Sequence, residues 1–273
     1  MAHSLSINVS FMRELVYGSA VGDALGVPYE FKSRGSFTCK DMVGYGTHYQ
    51  PAGTWSDDSS MTVATCDSLV SCGCVDLDDM LARFRAWIYD AAYTAGGDVF
   101  DYGNTTAKAL RQGHGMSGSW DSGNGSLMRI APLAATDATD EEIRAVSAIT
   151  HATEDCMRSC VDFVALLKGV RGLTKAEADA LVLGGKEPMA RADVRSGGYV
   201  IDTYNAAIWC FATTQSYRDC VIEAVNLGED TDTTACVAGA LAAAFYGMDA
   251  IPAEWMDTLQ GKDVIEAALK GSE

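Results

Sequence analysis

Residues 226–247 read NLGEDTDTTACVAGALAAAFYG, with Glu229, Asp230 and Asp232 inside four positions and no charge at all from Thr233 to Met248. The uncharged run is an apolar helix pattern, and CVIEAVNL (220–227) before it repeats apolar residues at three-to-four spacing, so helix enters the acidic turn and helix leaves it. Carboxylates this close repel one another and raise each other's pKa. The repulsion grows where an apolar helix excludes water, unless a cation or a proton sits among them. The stretch predicts a helical fold and requires a partner for its charge.

The same period recurs outward along the chain, in FMRELVYGSAVGDAL (11–25), LDDMLARFRAWIYDAA (77–92), EEIRAVSAITHA (141–152), CMRSCVDFVALLKGV (156–170) and YNAAIWCFATT (204–214). Thr139 with Glu142 and Thr174 with Glu177 form capping boxes, and Ser216 and Thr233 stand as caps before apolar runs. Period-two strands are absent. The pattern predicts an all-α protein, and 273 residues with 48% hydrophobic content suffice for one domain spanning residues 1–273. Three irregular stretches interrupt the helices, at residues 32–56, 113–126 and 184–198, and loops of this length in a compact domain tend to carry function. Gly18, Gly22 and Gly26 fall four apart on one face, which predicts close packing of the first helix in the core.

A formal charge of −17, from 37 acidic and 20 basic residues, opposes binding to nucleic acid or an anionic membrane. An anionic ligand needs a locally positive or neutral pocket. MAHSLSINVSFMREL has neither a basic start nor an apolar signal core, and the Thr233–Met248 run is too short and too rich in Ala and Gly to span a membrane, so a cytoplasmic protein is expected. Nine scattered cysteines predict reduced thiols. Cys72-Gly-Cys74 lacks the second ligand pair that a zinc site needs.

A second acidic helix start occurs at GTWSDDSSM (53–61), where Ser56, Asp57 and Asp58 precede MTVATCDSL. If the two clusters faced each other, they would supply four aspartates with the hydroxyls of Ser56 and Thr233, an oxygen set suited to Mg²⁺, Mn²⁺ or Ca²⁺. Glu30, at the end of the first helix, can join them. Taken singly, each cluster also reads as ordinary helix capping. DTDTT fits the DxDxT signature of haloacid-dehalogenase phosphotransferases, but the helical CVIEAVNLG stands where their β-strand belongs. An EF-hand loop counted from Asp230 would need Gly and Glu where Ala235 and Leu241 stand.

GSAVGDALGVPYEF (18–31), GTWSDDSSM, GNGSLMRIAPLA (123–134), ITHAT (149–153) and NLGEDTDTTACVAGALAAAFYG, in that order, resemble the ADP-ribosylglycohydrolase family, over about residues 11–250. The resemblance implies a single compact orthogonal helical domain with two Mg²⁺ or Mn²⁺ ions at the bottom of an ADP-ribose cleft. It implies hydrolysis of the bond between ribose C1″ and a modified side chain, with an ADP-ribosylated protein or small ADP-ribose conjugate as substrate and ADP-ribose as product. Matched position by position, Ser56, Asp57, Asp58, Asp230, Asp232 and Thr233 are metal ligands, and Glu30 reaches the metals or the ribose. Either Glu30 or Asp58 is the general base.

For the ADP-ribose itself, the family match points to Ser122, Gly123, Asn124, Gly125 and Ser126, whose turn amides can face the pyrophosphate. It adds His151 as a donor and Tyr199 beside the ligand, with Trp120 or Tyr102 for the adenine face. Two positions depart from the family pattern: Glu229 gives GED where many relatives have GGD, and Ser56 replaces a commoner Thr. The alternative reading is a non-catalytic ADP-ribose-binding or crystallin-like member of the same fold. A monomer is expected, and the acceptor amino acid is left open between arginine, serine and acyl linkages.

Overall fold

The computed structural model describes residues 3–271, so both ends of the expected 1–273 domain lie outside the described residues. Twelve α-helices follow one another among the described residues: α1 (Val9–Gly26), α2 (Asp57–Cys72), α3 (Leu77–Asp90), α4 (Asn104–Gln112), α5 (Asp140–Ala148), α6 (Glu154–Gly169), α7 (Lys175–Val182), α8 (Val200–Thr213), α9 (Tyr217–Asn226), α10 (Thr231–Tyr246), α11 (Ala253–Thr258) and α12 (Lys262–Ala268). Among the described residues there is no sheet, and β-type pairing is limited to isolated bridges such as Gly123 with Tyr199 and Met116 with His151.

α1 and α10 form the centre. Every residue of α1 from Leu15 to Gly26 is buried, as is every residue of α10 from Thr231 to Ala244. Helices apolar all round are core elements. The glycine face of α1 is what lets them meet: a Cβ on Gly18 would lie 2.4 Å from the Ala243 Cβ, one on Gly22 2.0 Å from the Ala235 carbonyl oxygen, and one on Gly26 2.3 Å from the Asp232 Cα. α8 and α9 pack on α10 and α2 packs on α1. α3 and α12 lie against α2, and α6 joins α5 to α8. The segment after the glycine turn sinks Leu127, Ile130 and Leu133 into this core, which anchors the turn to the scaffold.

Both capping boxes are present, and Ser216 caps α9. Thr233 does not cap: α10 opens after Asp230, and Thr233 is already inside its first turn. The reason is tertiary, since the Thr231 hydroxyl donates to the Gly26 carbonyl at 2.8 Å and draws the helix start three residues earlier. Glu30 follows a separate 3₁₀ turn, Val27–Tyr29, rather than ending α1; Pro28 inside that turn has no N–H with which to continue the α-helical ladder. α3 also stops earlier than its apolar period suggests, at Asp90, where Ala91 turns left-handed with φ 55°. A fourth irregular stretch, residues 91–103, results. All nine cysteines are free. Among the described residues no helix is long and apolar enough to cross a membrane.

Candidate active site

Three chain segments converge at one end of the central pair. Asp23, fully buried in α1, accepts hydrogen bonds from the Ser56 N–H through both carboxylate oxygens at 3.0 Å, and from the Ser59 N–H at 3.0 Å and hydroxyl at 2.6 Å. It thereby clamps the start of α2 to α1. Gly26 and the Thr231 hydroxyl seat the start of α10 one turn further on. The two acidic sequence clusters therefore meet: Asp58 Oδ2 accepts from the Ser56 hydroxyl at 3.2 Å and from the Thr233 hydroxyl at 3.4 Å, while Asp232 Oδ1 accepts from the Thr233 N–H at 2.9 Å. Two helix N-termini face the cluster, and their dipoles offset part of its charge.

Above this floor opens a cleft of about 320 Å³ lined by Glu30, Phe31, Asp57, Asp101, Tyr102, Gly123, Asn124, Gly125, His151, Gly198, Asp230 and Thr233, with no lysine or arginine. A larger groove, about 780 Å³, runs beside the start of α1 between Ser6 and Arg171 and has none of this chemistry. In the cleft, His48 pairs with Glu30, and Glu30, His48, Asp101 and Asp232 bring possible ligand atoms within 4.8 Å of one another.

Burial is the main force on these acids. It pushes Glu30 up to about 7 even though the His48 hydrogen bond pulls the other way, and pushes Asp23 up to about 6 against its Ser56 and Ser59 donors. Asp57, Asp58 and Asp232 are raised well above the ordinary carboxylate range by burial first and by neighbouring carboxylates second. Asp58 Oδ1 and Asp232 Oδ2 are buried and have no hydrogen-bond partner among the described residues. A buried acceptor in that condition costs about 1–3 kcal/mol, and a hard divalent cation with oxygen preference removes that cost. The donor set fits such a cation.

One wall of the cleft is of a different kind. The turn Gly123–Gly125 lies against the His151 ring, where a Cβ on Gly125 would come 2.7 Å from Cε1; only glycine lets the backbone and the ring edge approach so closely. The Asn124 N–H is taken up by the Gly198 carbonyl at 3.0 Å. Its side-chain amide donates to Thr203 Oγ1 at 2.9 Å and to Asp230 Oδ2 at 2.8 Å, tying wall to floor. Burial, then the charge of Arg129, pushes His151 down to about 3, so its ring is neutral.

The ADP-ribosylglycohydrolase profile matches residues 9–271. The chain belongs to the ADP-ribosylglycohydrolase family. Among its relatives, the ADP-ribosylarginine hydrolase Tri1 of Pseudomonas putida is 34% identical over 265 residues, covering 88% of this chain and 71% of that protein. The ADP-ribosyl-[dinitrogen reductase] glycohydrolase of Rhodospirillum rubrum is 32% identical over 270 residues, covering 90% and 88%. A solved structure described as an ADP-ribosylglycohydrolase-related protein complex superposes with a TM-score of 0.79 at 29% identity, covering 96% of each chain. The all-α architecture is the family's.

Within this ADP-ribosylglycohydrolase fold, the candidates named from sequence divide by depth. Glu30, Asp57, Gly123, Asn124, Gly125, His151, Asp230 and Thr233 line the cleft. Ser56, Asp58 and Asp232 lie buried beneath it. Ser126 is fully buried behind the wall, where its hydroxyl accepts from Ser147 at 2.9 Å. Ser122 and Tyr199 lie outside the cleft, in a neighbouring hollow with Trp120, and the Tyr199 hydroxyl donates to Asp155 at 2.8 Å. Tyr102 lines the cleft, whereas Trp120 is 95% exposed in that outer hollow. Glu229 is exposed and takes a left-handed backbone, φ 65°, the conformation for which glycine is the ordinary choice.

Sequence reading did not single out Asp23, His48 and Asp101. Asp23 had a signal, being the one charged residue in the glycine- and alanine-rich second half of α1, from Leu15 to Gly26. His48 and Asp101 sit in irregular stretches and had none.

Proposed function

We propose that this chain is a metal-dependent ADP-ribosylhydrolase that splits the bond between ribose C1″ and an ADP-ribosylated acceptor, with arginine as the acceptor. The carrying observation is the pair of orphaned, buried carboxylate oxygens on Asp58 and Asp232, set under an acidic cleft whose opposite wall is neutral. Ser56, Asp57, Asp58, Asp230, Asp232 and Thr233 would hold Mg²⁺ or Mn²⁺, with Glu30 within reach. Bound there, such ions neutralise the floor, orient a ribose diol and acidify water.

The remaining roles belong to the chain itself. Glu30 is favoured over Asp58 as the general base, because it lines the cleft while Asp58 lies beneath with its hydroxyl donors. Burial raises the Glu30 carboxyl, which favours its taking up a proton, and His48 orients it. Ionised carboxylates beside the anomeric carbon stabilise an oxocarbenium-like transition state. The Gly123–Gly125 turn and His151 offer N–H groups to the pyrophosphate. Asp101, Glu30 and Asp57 with no lysine or arginine beside them suit a cationic guanidinium leaving group, in keeping with the ADP-ribosylarginine hydrolase among the relatives.

The test incubates the protein with Mg²⁺ or Mn²⁺ and with arginine- and serine-ADP-ribosylated peptides, reading free ADP-ribose by mass. Metal-dependent release from the arginine peptide is the expected result. Binding of ADP-ribose with no release from either peptide would favour the non-catalytic alternative instead.

A further inference from the structure

Arg129 is completely buried, yet among the described residues no carboxylate pairs with it. Its Nη2 donates to the Val146 carbonyl at 3.1 Å and to Thr150 Oγ1 at 2.9 Å, its Cζ lies 4.5 Å from the centre of the Phe84 ring, and its Nε and Nη1 have no partner among the described residues. A buried guanidinium left in this state is costly to the fold. Thr150 Oγ1 in turn lies 2.9 Å from His151 Nδ1.

The donor inventory settles the direction of this chain of contacts. A guanidinium only donates, so the Thr150 oxygen accepts from Arg129, and the single hydroxyl hydrogen of Thr150 must find an acceptor. Among the described residues the only acceptor at hand is His151 Nδ1. With Nδ1 protonated instead, two donors would converge on the Thr150 oxygen and its own hydrogen would be stranded. We infer that Arg129 and Thr150 are positioning residues that hold His151 in its neutral Nε2–H form, so that the cleft wall presents a fixed N–H to an anionic oxygen resting on the Gly123–Gly125 turn.

The second half of the arrangement is geometric. The His151 ring packs its Nε2 edge toward the turn, 3.5 Å from where a Cβ on Gly123 would stand and 3.2 Å from one on Gly125. The Ser147 hydroxyl donates to the His151 carbonyl at 3.0 Å or to Ser126 Oγ at 2.9 Å, so the histidine and the turn are fastened to each other from behind. An N–H held by a buried charge is a donor that does not need to be protonated to bind phosphate, which suits a wall beside a crowded acidic floor. The inference rests on the ADP-ribose reading of the cleft for its ligand, but the tautomer can be measured without any ligand.

The experiment labels the full chain with [¹⁵N]histidine; of its four histidines, His151 is identified by the resonance lost in His151→Gln. The parent should show His151 as a single Nε2–H tautomer. Thr150→Val should give mixed tautomers, weaken ADP-ribose binding in Mg²⁺ about tenfold, the scale of one lost hydrogen-bond contact, and raise KM for an ADP-ribosylated peptide with kcat within twofold. Thr150→Ser should restore all three. Arg129→Met is the harsher variant, and if it fails to fold the Thr150 pair still decides. An Nδ1–H tautomer in the parent, or a Thr150→Val protein matching the parent in spectrum and affinity, would overturn the inference. If the parent itself does not bind ADP-ribose, the ligand reading falls, and the spectra decide the relay on their own.

Discussion

The floor of the cleft crowds Glu30, Asp57, Asp101 and Asp230 above the buried Asp58 and Asp232, with His48 paired to Glu30. The wall, a few side chains away, buries Arg129 with no acid beside it and keeps His151 neutral. The floor has acceptors without donors; the wall has donors without acceptors. Each region is electrostatically unfinished in the opposite sense, and Asn124 links them by donating to Asp230. An active site for a ligand that is anionic at its pyrophosphate and held by cations at its ribose needs both. The difference teaches which half is complete in the protein alone and which half, in the proposed reading, would be completed by ions.

The largest effect should come from emptying the floor. Asp58→Ala or Asp232→Ala should lower metal-dependent release of ADP-ribose by about a thousandfold, because several kcal/mol of charge stabilisation depend on those ligands. The helical circular dichroism should be unchanged; a variant within tenfold of the parent rate would break the division between floor and wall.

Next comes Glu30→Gln, which keeps shape and hydrogen bonding while losing charge. The single-turnover rate should fall by roughly two orders of magnitude, the scale of a positioned acid or base, with ADP-ribose affinity changed less than threefold. A rate within threefold of the parent would remove Glu30 from the chemistry.

The two regions should also respond to pH with opposite signs. Glu30 at about 7 and Asp23 at about 6 sit above their ordinary 4.5 and 3.8, so the folded floor holds protons that the unfolded chain has released. Their contribution is fully present below about pH 4 and is lost as pH rises through 6 to 7. His151 at about 3, against its ordinary 6.5, contributes stability that is present above pH 6.5 and lost as pH falls toward 3. The metal-free protein should therefore melt about 3 °C higher at pH 6 than at pH 8, the floor outweighing the opposing His151 contribution, and excess Mg²⁺ should flatten that slope. His151→Gln should soften the acid limb, the fall in stability as pH drops below about 6.5. Melting curves in EDTA that rise steadily from pH 6 to 8 would contradict the sign assigned to the floor.

The smallest effect lies at the edge of the floor. Glu229 holds φ 65° while its side chain is exposed, so Glu229→Gly should relieve left-handed backbone strain and raise stability by roughly 0.5–1 kcal/mol. Denaturant unfolding checks this, and a loss of stability would mean that the glutamate makes a contact of its own.

Legibility in the sequence followed the same division. The helices and most of their caps could be read because period and capping are local properties, and the two acidic clusters could be paired because each marks a helix start. Thr233 was misplaced as a cap because Gly26, two hundred residues away in sequence, accepts from Thr231 and shifts the helix start. His48 and Asp101 could not be read at all. Their positions depend on how residues 32–56 and 91–103 fold over the cleft, and an irregular segment has no period to reveal which side chain points inward. The wall was legible only as a glycine turn and a histidine; that Arg129 and Thr150 stand behind it is a matter of packing between the core segment 127–134 and the end of α5.

The most direct test of the central claim is calorimetric titration of the metal-free protein with Mn²⁺, alongside Asp58→Asn and Asp232→Asn. The parent should bind two ions, and each substitution should weaken binding at least a hundredfold while leaving the melting curve in EDTA at or above that of the parent, since it removes a buried carboxyl that must take up a proton for the metal-free protein to fold. A parent that binds no Mn²⁺, or variants that bind it as the parent does, would contradict the account.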